Sequence, residues 1–497
     1  MYNNNTNYQD LPSGPLTVGG GYEYRGDALT EGVDENSSHF NIAQGNFLGP
    51  HRNGHRYVHS LDAEVSVPLL GDKWSWPGAR LLDVTFSYRY DMFSDFGNAG
   101  KPKVALRYKP FDDLTFRATY AEGFVAPTLA QLFGSPLFFQ SGIGTAILQV
   151  NGNRALEPQN SFGYFGELVW TPDSKDDPNS WWHWLHGFSA YADWYQIEYR
   201  NQIDYLRAPN IRGFLPPPPF TPNTTIQTGF PGTSVTIGPT GNISRFTTQL
   251  NNLNRTLTAG VDIGFSYNTK EYSWGKLDIE ANGTYVYMFA QRQFVSKGTD
   301  PVTHLSRRPA LQVLQNDDNF STAPDFKGVA SIFYSKTLFA IDTFRTGLTL
   351  NYVDSYSDFY FNSKGTNPRA TVTFATGVVN GIPQHPFVHE VGSWTTFDWQ
   401  ISYGFGAPTV PVAETPKPGF DKEGKRIIGE QAIAPPRGEG TSAGWRHWLA
   451  NTAFTFGINN IWDSRAPLTI RPISFGFNYN NASVVQRFFY VQLEKKF

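Results

Sequence analysis

Few places in this 497-residue chain bring together side chains whose types and spacing suggest chemistry. The histidines His51, His55 and His59 recur every four residues, a spacing that on a helix would align them as ligands of a metal or a haem. The surrounding pattern instead indicates a loop that runs into a strand at residue 56, where the three imidazoles do not converge. A solvated loop is the favoured interpretation, and we predict neither a metal site nor a cofactor.

Two other clusters have equally ordinary explanations. Residues 181–186 read WWHWLH and resemble an aromatic cage, but such a run is also typical of the belt that borders a membrane. Asp317 and Asp318, beside Asn319, lack the alternate-residue spacing and the glycine of a calcium loop, so a solvated loop tip is favoured. The sequence has no nucleophile elbow, phosphate loop or HExxH motif, and we therefore do not expect an enzyme.

The composition excludes several further classes of protein. The absence of cysteine removes disulfide frameworks, Cys-ligated zinc and thiol catalysis. With 40 Lys and Arg against 43 Asp and Glu, the chain has no basic footprint for a nucleic acid, and no nucleic-acid partner is predicted. The mean hydropathy is −0.38, and no apolar run approaches the roughly 18 residues of a transmembrane helix. The 40 Phe, 25 Tyr and 13 Trp are many for so hydrophilic a chain.

Alternating polar and apolar residues indicate an all-β protein. Between residues 56 and 67, for example, Tyr57, Leu61 and Val65 share one face, while Asp62 and Glu64 lie on the other. Fourteen strands are predicted, at 16–25, 56–67, 80–91, 103–110, 114–122, 159–171, 186–199, 243–268, 275–290, 325–335, 342–354, 393–404, 449–459 and 485–497.

The connections between these strands alternate between long and short, so the long loops emerge from one edge of the sheet. That arrangement is the pattern of a transmembrane antiparallel β-barrel of the bacterial outer membrane. Segment 405–448 is the exception, because it is long and Pro-rich but falls on the short-turn, periplasmic side. It is interpreted as an insertion, with a missed hairpin as the alternative.

A barrel accounts for a hydrophilic chain that is rich in aromatic residues. Its lipid face is apolar and its lumen is wet, while aromatic rings collect at the two water–lipid boundaries. The predicted lumen-facing charges are Asp62, Glu64, Asp83, Arg89, Arg117, Asp262, Asp278, Glu280 and Asp398.

The last strand has the form of a membrane-insertion signal. Phe489, Val491, Leu493 and Phe497 share one face, and the chain ends on an aromatic carboxylate. Outer-membrane barrels commonly end in this way, and the terminal strand is what the barrel-assembly machinery reads. The alternative is an ordinary hydrophobic strand, which the thirteen similar strands upstream make the weaker interpretation.

Four motifs then resemble the C-terminal barrel of the TonB-dependent receptors, active transporters of the outer membrane. Residues 116–129, FRATYAEGFVAPTL, are close to the family phrase RxxxxxGFxAPxL, and residues 153–161, NRALEPQNS, are close to NxxLxPExS, with Gln159 in place of the usual Glu. Residues 457–463, GINNIWD, and the final strand from Arg487 also match. Similar patterning covers most of the chain from about Gly14 onward.

The resemblance implies a barrel of about 22 strands that encloses a plug, preceded by a segment that the TonB energy-transducing complex pulls. Fourteen strands, with neither a plug nor an export signal in MYNNNTNYQD, suggest that residues 1–497 are the C-terminal part of such a receptor. The last strand must run toward the periplasm, so the first predicted strand would be the ninth of 22. A self-contained barrel of fourteen strands remains the alternative.

The resemblance implies energy-coupled uptake of a scarce nutrient, such as a ferric siderophore, cobalamin or an oligosaccharide. The expected location is the outer membrane, and the expected partners are the TonB complex, the barrel-assembly machinery, outer-membrane lipid and a small nutrient ligand. Ligand contacts are expected from the long loops, at Phe138, Phe139, Tyr356, Tyr360 and Phe361. A passive pore, a surface adhesin and a soluble carbohydrate-binding protein are the alternatives; the last predicts a repeat of about 40–50 residues that we do not find.

Overall fold

The fold was analysed in a computed structural model of the chain. It describes residues 6–32, 35–38, 47–48, 52–71, 73–134, 136–140, 146–172, 183–212, 214–295, 310–314, 324–339, 341–359, 378–379, 382–383, 388–406, 449–469 and 481–496.

Strands dominate these ranges. They are β1 (Thr6–Leu11), β2 (Gly14–Glu31), β3 (Phe47–Leu48), β4 (Arg52–Leu70), β5 (Leu81–Phe93), β6 (Gly97–Phe111), β7 (Leu114–Val125), β8 (Leu137–Gln140), β9 (Ile147–Asn151), β10 (Gln159–Trp170), β11 (Phe188–Asp204), β12 (Thr225–Gln227), β13 (Ser234–Ile237), β14 (Ile243–Gln249), β15 (Asn251–Asn268), β16 (Lys276–Val295), β17 (Ala310–Leu314), β18 (Phe326–Leu338), β19 (Asp342–Val353), β20 (Tyr356–Phe359), β21 (Val378–Val379), β22 (Ile382–Pro383), β23 (Val388–Val391), β24 (Trp394–Gly404), β25 (Thr452–Asn459) and β26 (Phe488–Lys495).

The described helices are short. They are α1 (Glu35–Ser38), α2 (Leu129–Phe133), α3 (Ala208–Arg212) and a single 3-10 turn at His183–Leu185. Within the described ranges, none of them has the length and apolarity that a membrane-spanning helix needs.

A 16-stranded antiparallel sheet, called here the large sheet, organises the molecule. Its strands follow the order β1-β2-β4-β5-β6-β7-β10-β11-β15-β16-β18-β19-β24-β25-β26, and β17 pairs with β16 beside this path. The turns β1–β2, β6–β7 and β18–β19 lie at one edge, the short-turn edge, whereas the connections β2–β4, β7–β10 and β11–β15 emerge at the opposite, long-loop edge. The prediction of an all-β antiparallel fold is thereby confirmed.

All fourteen predicted strands have counterparts in this sheet, with three differences in detail. The strands β1 and β17 were not predicted. The hairpin β5–β6 runs on to Phe93 and resumes at Gly97, so the predicted loop 92–102 shrinks to three residues. The prediction of one strand over 243–268 is wrong, because β14 leaves the large sheet and only β15 remains in it.

Alternation gives the large sheet an apolar face and a polar face. On the apolar face Leu61 and Phe86 are 48% and 53% exposed, as expected of side chains that have no protein neighbour to cover them. Exposed aromatic residues gather on this face toward both edges. Toward the long-loop edge they include Tyr22, Tyr24, Tyr57, Tyr88, Tyr164, Trp194, Tyr285 and Tyr287, and toward the short-turn edge they include Trp74, Trp76, Phe111, Phe116, Trp184, Tyr272, Trp274 and Phe454.

The polar face is crossed by interactions between neighbouring strands. The Arg107 Nε donates to Asp83 Oδ2 at 2.8 Å, and the Arg117 guanidinium donates to Glu167 at 2.8 Å. Thr284 donates to Asp262 at 2.6 Å, and the Asn351 amide donates to Asp398 at 2.9 Å. The charges predicted to face the lumen thus share one face, where cross-strand pairs satisfy several of them.

A second sheet of six strands, called here the outer sheet, lies at the long-loop edge in the order β12-β13-β14-β9-β8-β3. Its strands come from three different connections of the large sheet. Under it is a buried core of apolar residues, Ala146, Leu148, Val150, Leu206, Ala208, Ile211, Leu215, Val235, Ile237 and Phe246. The described parts of these three connections therefore fold together as a packed layer with its own hydrophobic core.

The two faces of β18 provide a test of membrane exposure. Ile332 lies in the middle of the strand on the apolar face and is 44% exposed, while its neighbour Ser331 lies on the polar face. We expect Ile332→Arg to lower the free energy of unfolding from lipid vesicles by about 2–4 kcal/mol, because a cation near the bilayer midplane is poorly solvated.

The matched control is Ser331→Arg, which we expect to change the free energy of unfolding by less than about 1 kcal/mol. Equal losses for the two variants, measured by denaturant titration, would contradict the assignment of the faces.

Candidate functional site

A cavity of about 560 Å³ opens between the long-loop ends of β2, β4, β5, β6 and β7. Its charged lining consists of Arg25, Asp62, Glu64, Arg89, Asp91, Lys101, Lys103 and Glu122. Most of these residues are brought together by register alone, since Asp62 pairs with Arg89 across β4–β5 and Arg89 pairs with Lys101 across β5–β6.

Most cations of the cavity already have acidic partners. Arg89 contacts Glu23 at 3.3 Å and Asp91 at 3.0 Å, and Lys101 contacts Glu122 at 3.6 Å. Lys103 is exposed and lies opposite Ser87 and Ala121, without an ion pair among the described residues. The cavity can therefore bind and orient a polar ligand, and Lys103 can receive an anionic group of that ligand.

A buried arginine fixes the rim of the cavity. The Arg56 guanidinium contacts the Asp95 carboxylate at 2.8 Å, and both side chains are less than 10% exposed. A second edge of the guanidinium donates to the Pro127 carbonyl at 2.6 Å, and its flat face lies 5.1 Å from the ring centre of Phe96. One residue of β4 thus holds together the β5–β6 turn and the segment that leaves β7.

That segment leads directly into α2. The Thr128 hydroxyl accepts from the Gln131 backbone N–H at 3.1 Å, and the Gln131 side chain accepts from the Thr128 N–H at 2.8 Å, which together form a capping box. The helix buries Leu129 and Leu132. A Cβ on Gly54 of β4 would come within 2.6 Å of the Phe133 ring, so glycine is required where the helix lies against the strand.

Two of the four sequence motifs also act by joining segments. The Asn153 amide donates to the Leu250 carbonyl at 2.9 Å, and so links the segment between β9 and β10 to the junction of β14 and β15. Near the end of the chain, Asn460 has a positive φ of 54°, its N–H donates to Asp398 at 2.7 Å, and Asp463 accepts from the Arg487 N–H at 2.8 Å. These side chains hold connections in place on the sheet.

The predicted ligand-contact residues fall in different places. Phe138 and Phe139 lie in β8 of the outer sheet, where Phe138 pairs with Phe47. Tyr356 is buried in β20, which pairs with β23 in a separate two-stranded sheet. Tyr360 and Phe361 lie outside the described residues. Among the three of these residues that the structure describes, the two phenylalanines lie in one strand and Tyr356 lies in another sheet, and the role of all five in ligand binding stays a prediction.

The strand begins earlier than predicted: β4 starts at Arg52, so His55 lies in a strand and not in a loop, while His59 lies in the strand as predicted. Both lie on the apolar face among tyrosines, and Tyr22 Oη is 2.8 Å from His59 Nδ1. No group of three His, Cys, Asp or Glu side chains that could hold a metal ion is found in the described ranges. His51 and the Asp317–Asn319 segment lie outside these ranges.

Three other predicted features are described only in part. In β26, Phe489, Val491 and Leu493 share an exposed face, while Phe497 is outside the described residues. Of the aromatic run, Trp184 is exposed near the short-turn edge, and Trp181 and Trp182 are not described. Of the predicted insertion 405–448, the structure describes only residues 405–406. The insertion therefore stays a prediction.

A comparison with known proteins shows what this chain is similar to. A family model described as "TonB dependent receptor-like, beta-barrel" matches residues 1–461. Among solved structures, the siderophore receptor PirA from Acinetobacter baumannii is similar, with 14% identity and a TM-score of 0.52 over 99% of this chain and 53% of that one. A ferric enterobactin receptor (PfeA) mutant from Pseudomonas aeruginosa is similar at 14% identity and a TM-score of 0.53, over 96% and 51%.

The chain thus spans about half the length of the solved structures that it matches. The comparison with curated proteins gives no match.

Removing one partner of the buried ion pair should loosen the cavity rim. We expect Arg56→Met to lower the free energy of unfolding by about 3–5 kcal/mol, because it leaves the Asp95 carboxylate buried without a counter-charge. Denaturant titration measures this loss. Arg80→Met is the control, because Arg80 and Asp112 form an exposed pair at the short-turn edge that is worth under about 1 kcal/mol. Similar losses for both variants would contradict the role of Arg56.

The outer sheet should open without the large sheet. We expect Phe246→Ala, which removes a fully buried ring, to destabilise the outer sheet by about 3–5 kcal/mol. Hydrogen exchange should accelerate at the amides of β9 and β14 while β15 and β16 stay protected. Phe111→Ala, at an exposed ring near the short-turn edge, is the control and should leave both sheets protected. Loss of protection throughout the large sheet would show that the outer sheet is not a separate unit.

Proposed function

The chain belongs to the family of TonB-dependent receptors, and we propose that it serves as the barrel portion of a receptor for energy-coupled uptake of a scarce nutrient. The observation that carries the proposal is the family match over residues 1–461. Barrels of this family lie in the outer membrane of Gram-negative bacteria. We further propose that the chain works with the TonB complex, which would supply the energy for uptake, and that it performs no covalent chemistry on the ligand.

A ferric siderophore is our first choice of ligand. Support comes from the similar structures, which are a siderophore receptor and a ferric enterobactin receptor. Their 14% identity supports a shared fold, so cobalamin and oligosaccharides remain in the test as competing ligands. Ferric siderophores commonly carry acidic oxygen ligands around the iron, and an exposed Lys103 in the cavity suits such a molecule.

In the proposed sequence of events, the ligand first contacts the outer sheet and the loops around it, where we place Phe138, Phe139, Tyr356, Tyr360 and Phe361. The ligand then enters the cavity below, where charges of both signs orient it. Arg56 keeps the rim in one arrangement, so that little ordering is needed on binding. Release would follow when the energy-coupled partner moves the part of the receptor that fills the lumen.

For assembly we propose that the barrel-assembly machinery reads β26. The support is the exposed apolar row Phe489, Val491 and Leu493, which continues in sequence to Phe497. Outer-membrane lipid would cover the apolar face of the large sheet.

Uptake by cells that express the chain tests the function. The probes are iron-55 complexes of a catecholate and of a hydroxamate siderophore, with labelled cobalamin and a maltooligosaccharide as competing classes. We expect saturable uptake of one ferric complex that stops when a protonophore removes the energy source. Uptake that rises linearly with concentration and ignores the protonophore would instead support the passive pore.

Substitution of the cavity cation tests the binding site. We expect Lys103→Glu to weaken binding of the ferric complex by about tenfold, because one charge-assisted contact is replaced by repulsion. Binding is measured by fluorescence quenching on the purified chain. Lys73→Glu, at the short-turn edge, is the matched control and should bind as the unaltered chain does. Equal affinity for all three proteins would contradict a role of the cavity.

A further inference from the structure

A cluster of charges lies on the apolar face of the large sheet, where uncharged side chains are expected. Arg200 and Glu198 alternate along β11 with Trp194 on the same face, and Arg255 lies beyond the register partner of Glu198 on β15. The two arginines are 50% and 45% exposed, whereas Glu198 is only 12% exposed. These three residues, Glu198, Arg200 and Arg255, are called here the rim cluster. A role for this cluster is independent of the proposed uptake function and depends only on the membrane placement of the family.

The position of the rim cluster along the membrane normal follows from its distance to the aromatic band beneath it. Tyr164 and Trp194 belong to that band, and the Trp194 Nε1 donates to Tyr287 Oη at 2.8 Å. Gln196 pairs with Tyr164, and Arg200 follows Gln196 by four residues on the same face. Four residues are about 13 Å of strand, or about 10 Å along the membrane normal at a tilt of about 40°. The arginines thus lie just outside the aromatic band, at the level of lipid headgroups.

The long loops identify the leaflet that the rim cluster faces. The rim cluster lies near the long-loop edge, and the long loops of outer-membrane barrels are extracellular. Headgroups of the outer leaflet therefore face Arg200 and Arg255.

The geometry of the cluster suits a phosphate. Both arginines contact the same Glu198 oxygen through their Nε atoms, so the two guanidinium groups lie side by side. Each guanidinium has five N–H donors in a planar fork, and one carboxylate engages only part of the two sets. The face of Arg200 rests 4.5 Å from the ring centre of Phe162, which restrains its orientation.

Charge complementarity favours the same ligand. Arg200 and Arg255 carry two positive charges and Glu198 carries one negative charge, so the cluster has a net positive charge. A doubly charged phosphate monoester between the two guanidinium groups would be held by charge-assisted hydrogen bonds.

We propose that the rim cluster binds the phosphate group of a glycolipid in the outer leaflet, with Arg200 and Arg255 as the phosphate donors. Glu198 acts as a positioning residue that holds the two guanidinium groups together. The aromatic residues below, Tyr164 and Trp194, would lie against the acyl chains and glucosamine of the same lipid.

The test uses the full chain in phosphatidylcholine nanodiscs, with binding of added lipid measured by native mass spectrometry. The probes are lipid A with both phosphates, the same lipid without phosphates, and inorganic phosphate. We expect lipid A to bind about tenfold or more tightly than its dephosphorylated form, and Arg200→Gln/Arg255→Gln to abolish that difference. Arg80→Gln, an exposed arginine at the opposite edge, should bind lipid A as the unaltered chain does.

Two outcomes would overturn the proposal. Equal binding of the two lipids by the unaltered chain would exclude phosphate recognition. Displacement of lipid A by millimolar inorganic phosphate would show a site for the free anion in place of a lipid. Circular dichroism checks that the double variant keeps its sheet, and Arg200→Lys/Arg255→Lys, which keeps the charge but not the planar fork, should bind lipid A with intermediate affinity.

Discussion

Pairing of backbone N–H and C=O groups between antiparallel strands is the constraint on which the rest of this molecule depends. In a lipid environment no water can satisfy an unpaired group, so each strand needs neighbours over its whole buried length. The ladders from β10 to β11 and from β18 to β19 run without interruption over eleven and twelve residue pairs. Because the side-chain period of a strand is two, a continuous ladder also decides which side chains face outward, and a slip of one residue would exchange the two faces.

At the long-loop edge the backbone lies outside the ladder of the large sheet. Its N–H and C=O groups therefore need other hydrogen-bond partners. The outer sheet supplies many of them by pairing segments from separate connections around a shared core that includes Phe246. Arg56 supplies another, because its guanidinium satisfies the Asp95 carboxylate and the Pro127 carbonyl within one buried site. Arg56 thereby anchors the β5–β6 turn and the segment after β7 next to the cavity.

The local pattern predicted the strands well and the long-loop edge poorly, for a physical reason. Alternation is a property of neighbouring residues, so it revealed all the long strands, and it placed Asp83 and Arg117 on the polar face as the structure does. It could not separate β14 from β15, because both halves of 243–268 alternate and only distant partners decide which sheet each half joins. The Arg56–Asp95 pair was missed for the same reason, since a strand residue and a turn residue 39 positions apart share no local pattern.

The parallel pairing of β9 with β14 has a consequence for the order in which the protein folds. These strands lie roughly one hundred residues apart in sequence, and β10 and β11 lie between them. Closing so long a loop from an unfolded chain is entropically costly, but the cost largely disappears once β7, β10, β11 and β15 have paired and brought the connections together. The outer sheet would then fold after the large sheet, so a newly inserted barrel passes through a stage at which its strands are complete but its outer surface is not.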